Sequence, residues 1–292
     1  DEINSLCSAS LDGKDWRYRA LSAKERDSVI IQVLEKIVND RQIIGSPERC
    51  EIWENGWREN LNNYVCSNGE LAAITPKFIR PSQIVRLNQE YVHTASSYFE
   101  RNFIDVLRDW IFQHFFSKYN TIYEFGCGSG FNLVALAALF PDKNIFGSDF
   151  VPSSLNLINE IANRQKLHLQ GFLFDMIHPD HDFNIEPESA IFTSGAIEQL
   201  AGKFESFLQF LIQKRPSLCL HIEPVIELYD QNNVEDYMAI TFHKKRGYTQ
   251  GLLPRLFHLS DMGVIELIKV KRICFGSMMM EGYNLIVWRP AL

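Results

Sequence analysis

The run Ile122-Tyr123-Glu124-Phe125-Gly126-Cys127-Gly128-Ser129-Gly130-Phe131 decides how this sequence folds. A short apolar strand, Ile122–Phe125, leads into three alternating glycines, and an apolar helix pattern begins at Asn132. Glycine accepts positive φ and presents no Cβ to an approaching ligand. In an open α/β sheet, ligands bind beyond the carboxyl ends of the strands, which is where this turn falls. A dinucleotide site requires G-x-G-x-x-G; here the third glycine comes one residue early, and the position that pattern needs is Phe131. Glu124 lies two residues before the first glycine and suits an aminoacyl ligand, because a carboxylate engages an ammonium group directly or through water. The bland alternative is a structural turn that holds no ligand.

Downstream of Thr121, short apolar strands alternate with helical patterns. The spacing predicts strands at Ile122–Phe125, Asn144–Ser148, Gly171–Phe174, Ser189–Thr193, Leu218–Ile222, Val264–Val270 and Leu285–Trp288. Helices are predicted at Asn132–Leu139, Ser153–Arg164, Phe204–Gln213 and Val234–His243. Such alternation predicts a doubly wound, mostly parallel α/β sheet of seven strands covered on both faces. The last two strands have no obvious helix between them and suit an antiparallel pair at the sheet edge.

Upstream the rhythm is different, and residues 1–119 show no convincing strand. Ser22 and Glu25 form a capping-box pattern ahead of Val29, Ile30, Val33, Leu34 and Ile37 at helical spacing, and Gly45-Ser46-Pro47 is expected to end that helix. A second apolar series carries Trp53, Trp57 and Leu61. A long helix is predicted from Ser97 to Ser117, with Phe99, Phe103, Val106, Leu107, Trp110 and Phe115 facing inward. The expected organisation is an N-terminal helical cap over residues 1–119 and a ligand-binding catalytic domain over 120–292.

Two acids extend the ligand reading. Asp149 closes the second strand of the domain, 19 residues past Gly130, where a carboxylate accepts hydrogen bonds from both ribose hydroxyls and rejects a 2′-phosphate. Phe150 follows it. Asp175 closes the third strand, placed to accept from an adenine amino group with Met176 packing on the ring. Either Asp also reads as a helix cap.

Bulk properties narrow the partners. With 46% hydrophobic and 22% charged residues the chain reads as an ordinary globular protein. Its net charge of -7 argues against a nucleic-acid partner, since phosphate binding wants a basic surface. The basic runs Lys244-Lys245-Arg246 and Lys269–Arg272 are short. The cysteines at 7, 50, 66, 127, 219 and 274 form no CxxC pair, so neither a zinc site nor a disulfide framework is expected. The longest apolar stretch, Leu133–Phe140, is far short of the roughly 20 residues of a membrane helix, so no membrane partner is expected. No basic-then-apolar leader opens the sequence, which begins with Asp1 rather than Met, and a cytoplasmic location is the expectation.

Taken together, YEFGCGSG, the acid in IFGSDF, GFLFD and SAIFTSGAIEQL resemble motifs I to IV of class I S-adenosylmethionine-dependent methyltransferases, over roughly residues 121–222. The resemblance implies S-adenosylmethionine as cofactor, contacted by Glu124, Gly126, Cys127, Gly128, Gly130, Asp149, Phe150, Asp175, Met176 and Thr193 or Ser194. The sequence departs from commoner members at Ser189, which stands where an Asp is usual. IWENGWRENL, HIEPVIELYD, FHKKRGY and FGSMMMEGYNLIVWRP further resemble a bacterial group named sugar O-methyltransferases, which implies a carbohydrate hydroxyl as acceptor.

Methyl transfer to a hydroxyl needs alignment and a base. His221 and Glu223, at the end of the fifth strand, are the leading candidates, with Glu198 and His243 as polar contacts. Each has a second reading, His221 as a satisfied core residue and Glu198 as a loop orienter. Trp53, Trp57, Tyr91 and Tyr98 read as lining for a lid over the acceptor or as core, with Tyr91 and Tyr98 the substrate candidates. No metal is expected, because Glu198, Glu223, Glu227 and Asp230 match no ligand spacing. The rival functions are aminopropyl transfer on the same fold, against which the non-acidic Thr193-Ser194-Gly195 counts, and an inactive binding module.

Overall fold

A computed structural model describes residues 10–46, 48–81 and 84–291; Cys7 and Pro47 lie outside the described residues. Strands β4 (Thr121–Phe125), β5 (Asn144–Asp149), β6 (Leu169–Leu173), β7 (Ala190–Ser194), β8 (Leu218–Glu223), β9 (Ile265–Lys271) and β11 (Asn284–Pro290) make one sheet in the order β6-β5-β4-β7-β8-β11-β9. β11 alone runs opposite to the other six strands; it pairs antiparallel with β8 and with β9, so β9 and β11 form the expected antiparallel pair at the sheet edge, with β9 outermost. The chain winds outward from β4 to β6 and returns to β7, so the order reverses between β4 and β7. That is the crevice an α/β sheet offers to a ligand.

Alternation along each strand gives the sheet two apolar faces. Tyr123 and Phe125 of β4 pack with Phe207 and Phe210 of α6 (Glu205–Lys214) and with Leu252 and Leu256 of α8 (Leu252–Asp261). Ile122 faces the other way, onto Ile111, Phe112 and Phe116 of α3 (Phe99–Phe116) and Leu133 and Leu136 of α4 (Phe131–Leu139). The buried residues of α3 are Phe99, Glu100, Ile104, Arg108, Ile111, Phe112 and Phe116, so of the expected inner face Phe99 is buried. Phe103, Val106, Leu107, Trp110 and Phe115 are only partly buried. Helix α5 (Pro152–Gln165) joins β5 to β6, and α7 (Val234–Arg246) follows β8.

The N-terminal part is not purely helical, which corrects the sequence expectation. It holds α1 (Ala23–Asn39), started by the Ser22/Glu25 capping box, and α2 (Glu48–Cys66). It also holds β1 (Tyr18–Ala20), β2 (Ile84–Leu87) and β3 (Glu90–Thr94). These strands form a second, antiparallel sheet in the order β1-β3-β2-β10, completed by β10 (Phe275–Gly276) from the far end of the chain. A buried charge cluster fastens the two parts. Arg86 of β2 and Arg272 both pair with Asp236 of α7 and Glu281, and both guanidinium groups lie over the Tyr229 ring. Among the described residues no helix is long and apolar enough to cross a membrane, and Cys50, Cys66, Cys127, Cys219 and Cys274 are free thiols.

Candidate active site

The glycine turn is tied to the neighbouring strand at its first step, where the Gly126 and Cys127 amides both donate to the Ser148 carbonyl at 2.8 Å. Gly126 and Gly128 have φ of 74° and 54°. Both are also crowded. A Cβ at Gly126 would lie 2.4 Å from Ala196 Cβ, and one at Gly128 would lie 2.7 Å from the Trp57 indole. Gly130 opens α4 in the left-handed region. The Cys127 thiol is buried, 3.9 Å from the Ser154 hydroxyl, and its environment pushes its pKa well up.

Beneath the turn, Glu124 is 1% exposed. Its Oε1 accepts from Asn132 Nδ2 at 2.8 Å, whereas Oε2 is buried and has no partner. Burial pushes this carboxyl up to about 8, against the pull of Asn132 and the Arg108 charge. Asp149 accepts from the Gly128 amide (3.1 Å) and the Val151 amide (3.2 Å), and burial holds it up to about 6. The Phe150 ring beside it is exposed. Met176 is buried, with Cε 3.2 Å from the Cβ position of Gly126. Asp175 lies two residues past the end of β6 and caps its own turn. It accepts from the Ile177 amide at 2.8 Å and contacts His178 Nδ1 at 2.9 Å, and among the described residues no helix follows it before β7 for it to cap.

At the ends of β7 and β8 the structure departs from the expected chemistry. Trp288 Nε1 donates to His221 Nε2 at 2.9 Å, which leaves the proton on Nδ1, 2.9 Å from the Thr193 hydroxyl. Thr193 in turn donates to Glu223 Oε1 at 2.7 Å. Glu223 also accepts the amides of Ala196, Ile197 and Glu198 at 3.1–3.2 Å. Both ring nitrogens of His221 are engaged, and burial depresses its pKa to about 3. These contacts match the satisfied-core reading of His221 and make His221 and Glu223 a buried network that shapes the loop after β7. Thr193 is the buried link of that network, while Ser194 is half-buried at the strand end.

Three other candidates are also relocated. His243 is fully buried with Nε2 2.8 Å from the Thr249 carbonyl. Tyr91 is core, its hydroxyl donating to the Met278 carbonyl at 3.0 Å. Tyr98 stands 64% exposed just before α3.

Glu198 remains. Its Oε1 accepts from Gln199 Nε2 at 2.9 Å, its Oε2 is buried without a partner, and burial together with the Glu223 charge pushes the carboxyl up to about 8. Two residues not singled out from the sequence face the same region. Tyr283 precedes Asn284, which pairs with Glu223, and its ring packs on Ile104 and Phe131 beside the glycine turn. Burial pushes its hydroxyl well up, with the charges of Glu100 and Glu198 adding to the effect. Glu100 of α3 is itself buried and pushed up to about 7. An aromatic before a strand and an acid inside an apolar helix carry no local pattern that marks them.

Helix α2 lies over the glycine turn, so Trp53 and Trp57, two of the expected lid residues, cover that turn. Trp57 meets Gly128, Trp53 stacks on Trp57 at 5.2 Å, and Arg49 lies over Trp53 at 4.9 Å.

No family model matches the chain, and no curated protein matches it. Solved structures do. The [4+2]-cyclase SpnF is 11% identical, with 86% of this chain and 100% of that chain covered at a TM-score of 0.53. Such a match at this identity, on the sheet order described above with β11 alone antiparallel, decides the architecture. The fold is that of the class I methyltransferases. Other neighbours overlap less. NcsB1, an O-methyltransferase from neocarzinostatin biosynthesis solved with S-adenosylmethionine and a naphthoic acid, is 16% identical (66% of this chain, TM-score 0.44), and the match spans 58% of its length. The mitomycin 7-O-methyltransferase MmcR is 12% identical (66% and 56% covered, TM-score 0.49). In class I methyltransferase terms, the strand-order reversal of this chain sits between Glu124 and Glu198, the two carboxyls that each leave one oxygen unpartnered.

Proposed function

We propose that this protein binds S-adenosylmethionine at the glycine turn and transfers its methyl group to a hydroxyl of a small, uncharged polar acceptor. A sugar is the acceptor class favoured by the sequence resemblance. The observation that carries the reading is Glu124, a buried carboxyl with one free oxygen beneath a turn stripped of side chains. Leaving a buried acceptor unpaired costs about 1–3 kcal/mol, and an ammonium group is the donor that offsets it. The neighbouring residues fit the same ligand. Asp149 has acceptor capacity beyond its two amide bonds for ribose hydroxyls, and Phe150 offers an open ring face beside it. Bound there, the cofactor supplies an electrophilic methyl group.

On the acceptor side, Glu198 keeps its proton to about 8 and so offers both a donor and an acceptor to a substrate hydroxyl at neutral pH. Glu100, Glu198 and Tyr283 all have raised pKa values, so they offer largely neutral hydrogen-bonding groups to that region, which suits an uncharged polar acceptor. A neighbour of this fold is a cyclase, so the fold by itself does not dictate methyl transfer, and the cofactor must be tested first. In calorimetry, S-adenosylmethionine and S-adenosylhomocysteine should bind at micromolar strength while NAD and NADP give no signal. Absence of heat with both adenosyl ligands would overturn the proposal. Release of S-adenosylhomocysteine in the presence of neutral sugars, compared with their acidic counterparts, then tests the acceptor class.

A further inference from the structure

We propose that the N-terminal half of helix α2 is a displaceable cover on the cofactor seat: Trp57 occupies the face of Gly128 that the ligand has to reach, and binding proceeds by lifting it. The inference rests on the cofactor reading above. Indole atoms of Trp57 come within 2.7 and 3.0 Å of the Cβ position of Gly128, so the side-chain-free space at the centre of the turn is filled by the protein itself. The covering half is anchored by polar and stacking contacts and has no fully buried residue among the described ones. Glu54 accepts from the Ser153 amide at 3.1 Å, at the start of α5 and just past Asp149, and its carbonyl accepts from the Ser153 hydroxyl at 2.8 Å. Arg49 donates to Gln199 Oε1 at 3.2 Å, and Gln199 holds Glu198. One helix thus touches the turn, the ribose-side acid's neighbourhood and the acceptor-side carboxyl.

The helix is built to part in the middle. Its fully buried residues are Asn60 and Tyr64, both in the C-terminal half, where Tyr64 packs on Leu157 and Ile161 of α5. The half carrying Arg49, Trp53 and Trp57 has no fully buried residue, and Gly56 sits between the two indoles with nothing within 4 Å of its Cβ position. A glycine inside a helix costs about 1 kcal/mol relative to alanine, and segments with few buried apolar contacts open first. Lifting this half would also withdraw Arg49 from Gln199 and so release Glu198, which makes cofactor binding precede acceptor binding.

The test uses S-adenosylhomocysteine as the probe, with tryptophan emission followed by stopped flow. In the wild type the observed rate should level off as ligand rises, because opening limits it. In Trp57→Ala the plateau should disappear and the equilibrium affinity should tighten about tenfold, since a competing occupant has gone. Glu54→Gln, which loosens the cover without touching either indole, should raise the plateau rate and guards against a misfolded Trp57 variant. Weaker binding by Trp57→Ala, with a wild-type rate that rises linearly, would show that Trp57 is a wall of the seat and overturn the cover. Wild type, Trp57→Ala and Glu54→Gln all failing to bind would instead refute the cofactor reading on which it rests.

Discussion

Replacing Glu124 by Gln should make the protein more stable at neutral pH while weakening its ligand binding. The carboxyl has an ordinary value of 4.5 in the unfolded chain but holds its proton to about 8 in the fold. Because the folded value is the higher one, its contribution is fully present below 4.5 and is lost as pH rises toward 8. At about 1.4 kcal/mol per unit of pH, the step from 4.5 to 7 withholds roughly 3 kcal/mol from folding. Glutamine keeps the acceptor for Asn132 but places an unpaired amide where Oε2 lies, which costs about 1–2 kcal/mol. The net expectation is a gain of about 1–2 kcal/mol at pH 7 and no gain at pH 4.5. Urea unfolding followed by circular dichroism at both pH values measures it. An ammonium placed beside Glu124 should also expel the proton, so calorimetry in buffers of different ionisation enthalpy should find about one proton released per S-adenosylhomocysteine bound at pH 7, and none in the variant. If wild type and variant lose stability in parallel between the two pH values, Glu124 is ionised in the fold and the reasoning fails.

Other expectations follow from the same geometry. Asp149→Ala should weaken cofactor binding by about 1.5–3 kcal/mol in calorimetry, with a much smaller loss for a 2′-deoxy analogue; equal losses would place its role at the Gly128 and Val151 amides alone. His221→Gln should leave cofactor affinity intact but cost about 2–3 kcal/mol at pH 7. That deficit should shrink by roughly 2 kcal/mol at pH 5, because the unfolded imidazole gains a proton below 6.5 that the folded one refuses down to about 3. A His221→Gln protein of normal stability whose turnover alone collapses would restore His221 as a base. Arg86→Met should destabilise by about 3–5 kcal/mol, read from thermal melts, because Asp236 and Glu281 would keep only Arg272. Turnover should survive exhaustive chelation; loss on EDTA treatment, reversed by magnesium, would direct attention to Glu198 and Glu227.

The large sheet was legible because most of its strands are short apolar runs closed by a turn residue, and the period changes at Thr121. The small sheet was not. Its central hairpin turns through Asn88 and Gln89, both at positive φ, so the Asn-Gly signal that marks such turns is missing. Its outer strands are three and two residues long, too short for alternation to register. Helix α8 was hidden by Pro254, which sits in the first turn, where no intrahelical amide is needed. Within the site, the glycines and Asp149 carry a spacing, and Glu124 a position next to them. His221 and Glu223 carried the right position for a base, and only their partners Trp288, Thr193 and three loop amides reveal that their polar atoms are already engaged.

Strand β10 has a consequence for how the chain is made. Phe275 and Gly276 pair with Leu87 and Arg86, so the sheet that begins near Tyr18 gains its last strand only long after β2 itself has been synthesised. Until residue 276 leaves the ribosome, β2 presents an open edge, and Arg86 waits for Asp236 and Glu281. Such long-range closure is slow and leaves pairing-competent backbone exposed in the meantime. The small sheet is therefore the part of this fold that gains most from protection by a chaperone during translation.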